Sequence, residues 1–454
     1  MSGFSRTQRK RMYVVSGFSR RTRRNKRMYV VSGFSRTRRK RMYAVSAFSR
    51  TQRKRMSVVS GFSRRTRRNK RMYVVSGFSR TQRVDDDAGP DAWMMMLNVD
   101  LARRVLVDAI AARVFPAAVV DVGSSAGSLW RDALGALTFD AGAPAPDERT
   151  PFDLASLTKP IATTTVVMQL VSEGRVQLDD LVRAAFAEWR GEDREPATIR
   201  DLLEHAAGLP ARLVDAPPEG RRAFEHDICA IPLEYAPRSR SIYSDLDFIL
   251  LGFLAGDRGG ASLAVQFDRL RDRIAQAEPG LARQPLAFAL EPAERRRAAP
   301  TIPLPDDRRR GRTLVGEVHD NYAAALGGVA GHAGLFGTAP AVAAFARAVL
   351  RAARGDETVP VPLSPMLVRL ATTRTTVAGS SRALGWDTML PTSSCGTRMS
   401  ASAFGHVGFT GPSLWIDPAR DRYFVLLTNR AAGTAAPEDV RQAWRAFHDA
   451  LGDV

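Results

Sequence analysis

Acidic residues are absent from the first 84 positions of this 454-residue chain, which carry 27 lysines and arginines. The other 370 residues hold 40 basic and 47 acidic side chains. The net charge of +20 therefore comes from an N-terminal arm, and the body carries −7. Attraction to nucleic acid or another polyanion is accordingly expected of the arm alone.

Cysteine and long apolar runs are also scarce. Cys229 and Cys395 are the only cysteines, which excludes a disulfide framework and zinc-cluster spacing, although one bridge between them stays open. No stretch has the roughly 18 consecutive apolar residues of a membrane helix. The residues after Met1 also lack the short basic stretch followed by an apolar stretch that is typical of a secretory signal peptide. These absences favour a cytoplasmic protein without a transmembrane segment.

The arm, residues 1–84, is a tandem repeat. Units of 14 and 16 residues begin at Ser2 and Ser16, and the series restarts at Ser46. Each unit has few apolar residues and several unbalanced positive charges, so we expect disorder and not a solenoid. Two interpretations stay open. The arm binds nucleic acid or another polyanion, or it is translated repetitive DNA upstream of the true start.

The body has strand patterns at its two ends and helical patterns in its middle. Apolar runs at 117–122 (AAVVDV) and 423–428 (YFVLLT) are typical of buried strands. We predict an α/β fold of the α+β type, in which a mixed, mostly antiparallel sheet is flanked by helices. The sheet region covers about 97–165 and 375–452, and a mainly helical subdomain is inserted over about 166–374. Residues 85–96 are predicted to link the arm to a 97–452 domain.

Two amphipathic helices are predicted to border this domain. The first covers 97–114 and ends before Pro116. The last begins near Pro437, and its apolar residues recur at i, i+4, i+7 and i+11. These residues are Val440, Trp444, Phe447 and Leu451.

Lysine is almost missing from the body, since residues 85–454 contain 39 arginines and the single Lys159. Lys159 follows Ser156 by three positions in FDLASLTKP, so one helical turn would place both side chains on one face. A serine hydroxyl needs a neighbouring base to become a nucleophile, and a buried lysine can lose its proton where an arginine cannot. If Ser156 begins a helix, its backbone N–H can also stabilise an oxyanion. We therefore predict a nucleophilic serine activated by Lys159.

The order of motifs resembles the penicillin-recognising serine hydrolases, that is, class C-type β-lactamases, D-alanyl-D-alanine peptidases and related esterases. The resemblance covers most of residues 97–452. The matching segments are FDLASLTKP (152–160), TIRDLLEHAAGLP (198–210), YSD (243–245), GEVHDNYAAALGGVAGHAGLFGTA (316–339) and GHVGFTG (405–411).

The resemblance implies a β-lactamase-like fold and a role for each matching residue. Ser156 would be acylated, Lys159 would take its proton, and Tyr243 would relay that proton to the leaving group. The backbone N–H groups of Ser156 and Phe409 would form the oxyanion hole. Asp245, His406 and Gly408 would line the substrate site. Neither a metal nor a cofactor is implied, and the partner would be a small-molecule, peptide or ester substrate.

Two residues depart from the family pattern. Asp245 stands where asparagine is usual, and as a carboxylate it can pair with Lys159 and raise the lysine pKa. His406 stands where many relatives have a lysine that holds a substrate carboxylate. Both departures favour an esterase- or peptidase-like hydrolase. The alternatives are a true β-lactamase and, from another class, a catalytically weak body that carries a nucleic-acid-binding arm.

The remaining histidines have plainer interpretations. His205, His319 and His332 are predicted to be structural histidines that bond backbone groups. His226 and Cys229 have loose metal-ligand spacing, but two ligands do not make a site.

Overall fold

A computed structural model describes residues 44–45, 74–75, 90–213 and 216–452. The chain divides into two compact units, Met1–Ala88 and Gly89–Val454. In the first unit the described residues are strands β1 (Ala44–Val45) and β2 (Val74–Val75), which pair in parallel. Apart from these four residues, the arm that was predicted to be disordered lies outside the described residues.

Strands of the second unit form a six-stranded sheet, ordered β4-β3-β11-β10-β9-β8, and a three-stranded sheet, ordered β5-β7-β6. In chain order they are β3 (Ala117–Ser124), β4 (Gly127–Gly135), β5 (Phe152–Asp153), β6 (Leu286–Ala287), β7 (Phe336–Gly337), β8 (Asp387–Thr388), β9 (Phe404–Val407), β10 (Ser413–Asp417) and β11 (Arg422–Thr428). Every pairing in the larger sheet is antiparallel. The predicted sheet built from both ends of the body is confirmed.

Helices cover the larger sheet and form the inserted subdomain. They are α1 (Pro90–Ala111), α2 (Thr165–Ser172), α3 (Val182–Ala185), α4 (Ile199–Leu203), α5 (Gly220–Ala230), α6 (Asp245–Gly259), α7 (Leu263–Ala277), α8 (Pro292–Arg295), α9 (Asn321–Ala325), α10 (Ala339–Ala353), α11 (Pro365–Thr372) and α12 (Pro437–Leu451). Within the described residues no single helix is long and apolar enough to span a membrane, although the bent pair α6 and α7 would pass together by length and composition.

Helix α1 begins earlier than the sequence pattern predicted, because it includes the second half of the predicted 85–96 linker. Pro90 occupies its first turn, where the missing N–H of proline costs little. The alanine, methionines and leucine that follow favour helix. Only the residues before Pro90 are therefore left to connect the repeat arm to the domain.

The central strands β3 and β11 of the larger sheet are buried on both faces, and their side chains alternate between them. Val120, Val122 and Phe424 pack in the cluster that α1 and α12 cover. Val119 and Val425 belong to the cluster on the opposite face, where α10 packs on β3 and β11. This alternation follows from the two-residue period of a strand. Burial on both faces explains why AAVVDV and YFVLLT are continuous apolar runs.

The last helix confirms its predicted apolar stripe. Val440, Trp444, Phe447 and Leu451 are all buried beneath α12. Fully burying a side chain of this size contributes about 1.5–3 kcal/mol. Helix α12 packs against α1 on the sheet, so the two ends of the domain stabilise each other.

Candidate active site

The Ser156 segment leaves β5 through a strained turn. A 3-10 turn at Ala155–Leu157 is followed by a π-helix at Lys159–Thr164, which leads into α2. Ala155 has a φ of +44°, which is unusual for a residue with a Cβ. The Asp153 carboxylate holds this turn by accepting the Ala155 N–H at 2.8 Å and the His319 N–H at 2.6 Å. The nucleophile thus lies on a tight bend and not in an ordinary helix.

Ser156, Lys159 and Tyr243 form a closed triangle of hydrogen bonds. Lys159 Nζ lies 3.1 Å from Ser156 Oγ and 2.6 Å from the Tyr243 hydroxyl. The Tyr243 hydroxyl donates to Ser156 Oγ at 2.7 Å. Lys159 follows the 3-10 turn as the first residue of the π-helix, and its amine reaches back to the Ser156 hydroxyl. The structure therefore brings together the three residues that the resemblance predicted to be catalytic.

Lys159 is completely buried, and it has more acceptors than an ammonium has hydrogens. Besides Ser156 and Tyr243, Nζ donates to Asp245 Oδ1 at 2.8 Å and to the His332 carbonyl at 3.2 Å. Burial lowers the lysine pKa, but the Asp245 carboxylate and the Tyr243 hydroxyl outweigh it, so the pKa lies above its usual value. The predicted Asp245–Lys159 pair is present, and the resting lysine carries a proton at neutral pH.

Asp245 also belongs to a longer chain of charged side chains. Arg212 Nη1 lies 2.8 Å from Asp245 Oδ2 and 2.9 Å from Asp320 Oδ2. His332 Nε2 lies 2.7 Å from Asp320 Oδ1. Burial raises the pKa of Asp320, but His332 and Arg212 more than offset it, so this pKa falls well below its usual value. The site therefore includes Arg212, which lies outside every matching segment, and Asp320, which lies within the 316–339 segment but had no predicted role.

Glycine at position 331 allows the loop that carries His332 to reach Lys159. A Cβ on Gly331 would lie 1.8 Å from the Phe248 carbonyl of α6. The Gly331 carbonyl also accepts the Thr163 hydroxyl from the π-helix at 2.7 Å. This close approach could be found only in three dimensions, because the loop and the nucleophile lie far apart in sequence.

The predicted oxyanion hole is framed by two contacts on either side of Phe409. A Cβ on Gly408 would lie 2.7 Å from the Leu154 carbonyl. The Thr410 hydroxyl donates to the Asp153 carbonyl at 2.7 Å. Residue 409 therefore lies beside the Ser156 turn. Within the described part of the chain neither the Ser156 nor the Phe409 amide donates a hydrogen bond, so both are available to an oxyanion.

His406 lies behind Tyr243, not at an open surface. Its ring is 5.9 Å from the Tyr243 ring and only 4% exposed, and Nδ1 is 2.8 Å from the Val407 carbonyl. Burial, and then the charges of Arg382 and Lys159, hold the pKa of His406 well below its usual value. A buried, neutral His406 cannot replace the positive charge of the lysine that many relatives carry there.

Arg382 supplies a positive charge close to this position. Its guanidinium lies 5.0 Å from the centre of the Tyr243 ring, and it is half-buried. In the described part of the chain this guanidinium has no ion pair and donates to no carboxylate. Sequence reasoning missed Arg382, because one arginine among 39 in the body carries no signal of its own.

The structural histidines differ in part from prediction. His205 accepts the Ser244 N–H on Nδ1 at 3.2 Å, as a backbone-bonding histidine should. His332 instead bonds the Asp320 carboxylate, and His319 stacks on Phe409 with 5.4 Å between ring centres. In both cases the ring contacts a side chain, Phe409 or Asp320, where a backbone group was predicted.

One cluster of acidic and histidine side chains in the site has the spacing of metal ligands, but its oxygens are already paired with cations. Asp245, Asp320 and His332 could offer ligand atoms within 4.8 Å of one another. The Arg212 guanidinium already bridges the two carboxylates, and Lys159 holds the other oxygen of Asp245. Two cationic side chains thus occupy the positions that a metal would need.

The remaining candidate ligands lie elsewhere. The His226 ring bonds the Glu188 carboxylate. Cys229 and Cys395 are buried free thiols in separate clusters, so the bridge that the sequence left open is not formed.

Comparisons with known proteins agree with this fold. The β-lactamase family model matches residues 102–447. A relative from Escherichia coli O157:H7, named "Putative D-alanyl-D-alanine carboxypeptidase", is 32% identical over 316 residues, covering 62% of this chain and 69% of the relative.

Two solved structures share the fold at low sequence identity. EstCE1, a hydrolase with promiscuous acyltransferase activity, gives a TM-score of 0.59 at 19% identity, covering 77% of this chain and 99% of its own. Simvastatin synthase from Aspergillus terreus gives 0.59 at 20% identity, covering 78% and 98%.

Fold and site together define a serine hydrolase in which an antiparallel sheet and a helical subdomain enclose the reacting groups. The chain belongs to the β-lactamase family.

Proposed function

We propose that Ser156 forms a covalent acyl intermediate and that Lys159 and Tyr243 move its proton. Ser156 Oγ attacks the substrate carbonyl carbon, and the hydroxyl proton passes to the neutral amine of Lys159. The resulting ammonium returns a proton through Tyr243 to the leaving oxygen or nitrogen as the C–O or C–N bond breaks. Water then attacks acyl-Ser156 and releases the acid. The observation that supports this role is the closed Ser156–Lys159–Tyr243 triangle.

Acylation in this scheme requires the neutral form of Lys159. The lysine pKa is raised, because the Asp245 and Tyr243 oxygens outweigh the effect of burial. Only a minor fraction of the enzyme is therefore ready to react at pH 7, and kcat/KM rises as the pH rises toward the lysine pKa. Asp245 thus makes the site slower at neutral pH than one with asparagine in its place.

The substrate that we propose is a peptide with a free C-terminal carboxylate. Arg382 lies against Tyr243, where the leaving group would depart, and its guanidinium has no carboxylate partner in the described chain. The carboxylate of an anionic leaving group would form an ion pair with the Arg382 guanidinium. The name of the Escherichia coli relative, a D-alanyl-D-alanine carboxypeptidase, points to the same class of substrate.

This proposal is tested with an acylated D-Ala-D-Ala peptide, its C-terminal amide, and a short-chain ester. Arg382→Gln should lower kcat/KM for the free peptide by about 10–100-fold, the usual worth of a hydrogen-bonded charge. The amide and the ester should change little. Arg113→Gln is the matched control, because Arg113 also stacks on an aromatic ring, that of Phe139.

Two results would contradict the carboxypeptidase assignment. Equal turnover of the free peptide and its amide would show that Arg382 does not recognise the C-terminal carboxylate. Fast hydrolysis of penicillins, together with no turnover of peptide or ester, would support a true β-lactamase instead.

A further inference from the structure

The Arg212 side chain is fixed on four sides next to the catalytic lysine, although it touches none of the reacting atoms. It contacts Asp245 and Asp320 at 2.8 and 2.9 Å through Nη1, and it donates to Asn321 Oδ1 at 2.7 Å through Nη2. Its guanidinium lies 3.9 Å above the centre of the Tyr322 ring. Such a set of contacts leaves the guanidinium one orientation.

Asp245 is shared between two cations. One carboxylate oxygen accepts from Lys159 and the other accepts from Arg212, both at 2.8 Å. Asp320, Arg212, Asp245 and Lys159 thus form a row in which negative and positive charges alternate. With the asparagine usual at position 245, Arg212 would keep its ion pair with Asp320 but lose the one with residue 245.

We infer that Arg212 is a positioning residue that acts on Lys159 through Asp245. Arg212 aims Oδ1 of Asp245 at the amine, and it draws negative charge away from that amine. It thereby keeps the neutral form of Lys159 accessible in a site where aspartate has replaced asparagine. This inference rests on the proposed role of Lys159 as the base.

Charge balance gives the direction of the effect. Without Arg212, Lys159 would be the one cation paired with the Asp245 carboxylate among the described ion pairs, and the protonated form of Lys159 would be stabilised further. Without Asp320, Arg212 would neutralise Asp245 more completely, and the protonated lysine would be destabilised. The two substitutions should therefore move the lysine pKa in opposite directions.

Several other charged or titratable groups face Lys159 from the surrounding elements and stay in place in every variant. They are Tyr243 just before α6, Asp247 in the first turn of α6, His205 after α4, His332 before β7, Arg382 before β8 and His406 in β9. Because these groups are common to all variants, differences between pH profiles report Arg212, Asp245 and Asp320.

The test measures kcat/KM for an ester substrate against pH in the full-length chain. Arg212→Gln should shift the acid limb of the profile of kcat/KM against pH to higher pH by about one unit, and Asp320→Asn should shift it to lower pH. In the Asp245→Asn background, Arg212→Gln should produce only a small part of that shift. Arg212→Lys, which keeps the charge, should stay near the wild-type profile. Arg221→Gln is the control, because Arg221 also bridges two acids, Asp257 and Glu225, on an exposed surface.

A second measurement observes the lysine itself. Chain with 13C-labelled lysine side chains is titrated by NMR, and the signal of Lys159, the sole lysine of residues 85–454, is identified by its absence in Lys159→Arg. The Lys159 pKa should rise in Arg212→Gln and fall in Asp320→Asn. An unchanged lysine pKa, or a lower rate plateau with an unmoved acid limb, would overturn the role of Arg212. Failure of the acyl-enzyme proposal would appear separately, as undiminished turnover in Ser156→Ala.

Discussion

Lys159 shows at the scale of one residue what the sequence can and cannot reveal. Its isolation among 39 arginines indicated a position where a removable proton matters, and the structure places its amine in a fully buried network. The partners Tyr243 and Asp245 came from motifs. Arg212 lies outside every motif, and the 316–339 motif contains Asp320 and His332 but did not reveal their contacts. Those contacts depend on loops that meet only after folding.

Lys159→Arg should reduce kcat by about 10³-fold or more, the upper range for losing a general base. Arginine keeps the positive charge beside Asp245 but cannot give up a proton at neutral pH. Steady-state hydrolysis of an ester, with thermal unfolding as the check on folding, measures this. A variant that folds normally and keeps wild-type turnover would show that Lys159 is not the base.

At the scale of elements, the sequence predicted the type of each segment better than its local geometry. The three-residue spacing of Ser156 and Lys159 suited an ordinary helix, but a 3-10 turn and a π-helix place the two side chains instead. The positive φ of Ala155 and the Asp153 carboxylate that holds it cause this difference. The helix propensities of residues 155–157 do not reveal the contacts of the buried Asp153 carboxylate, so this turn could not be predicted from the sequence.

Gly408→Ala should lower kcat by about 10²-fold, the typical cost of losing one oxyanion donor. A Cβ at this position would lie 2.7 Å from the Leu154 carbonyl, so the backbone that carries the Phe409 amide must shift relative to the Ser156 turn. Gly256→Ala in α6 is the control, since its nearest neighbour would be 4.0 Å away and alanine favours helix. Equal kcat values in the two variants would argue against an oxyanion role for Phe409.

At the scale of the whole molecule, hydrophobic periodicity was enough to predict the architecture. Alternating strand residues and the stripe of α12 specify which faces are buried, and both ends of the domain supply them. The small sheet formed by β5, β6 and β7 was not foreseen, because two-residue strands carry no periodic signal.

Acid should destabilise the fold through its buried histidines. Burial lowers the pKa of His448 to about 3, below the ordinary value, so the folded state keeps this ring neutral while the unfolded chain takes up a proton. The stability it contributes is complete above about pH 6.5 and is lost as the pH falls toward 3. Between pH 7 and 5 this loss is about 2 kcal/mol.

His448→Gln should lose correspondingly less stability over the same interval, because glutamine does not titrate and can still bond the Ser413 hydroxyl, now 3.0 Å from Nε2. Urea unfolding at pH 7 and at pH 5 gives the two free energies. The same pH-dependent loss in the variant and the wild-type protein would exclude His448 as its source.

Deleting residues 1–84 should leave kcat/KM unchanged, since the family match begins at residue 102. If the basic arm binds RNA, that binding should fall steeply with salt and disappear with the deletion. Filter binding and ester hydrolysis of the same two proteins measure both. Loss of hydrolysis on deletion would give the arm a part in the enzyme that its composition does not predict.

The most direct test of the acyl-enzyme mechanism is intact-mass spectrometry after exposure to a fluorophosphonate, followed by peptide mapping. We expect one adduct per chain, located on the peptide that contains Ser156 and absent from Ser156→Ala. A label on any other residue, or full hydrolytic turnover by Ser156→Ala, would contradict the account.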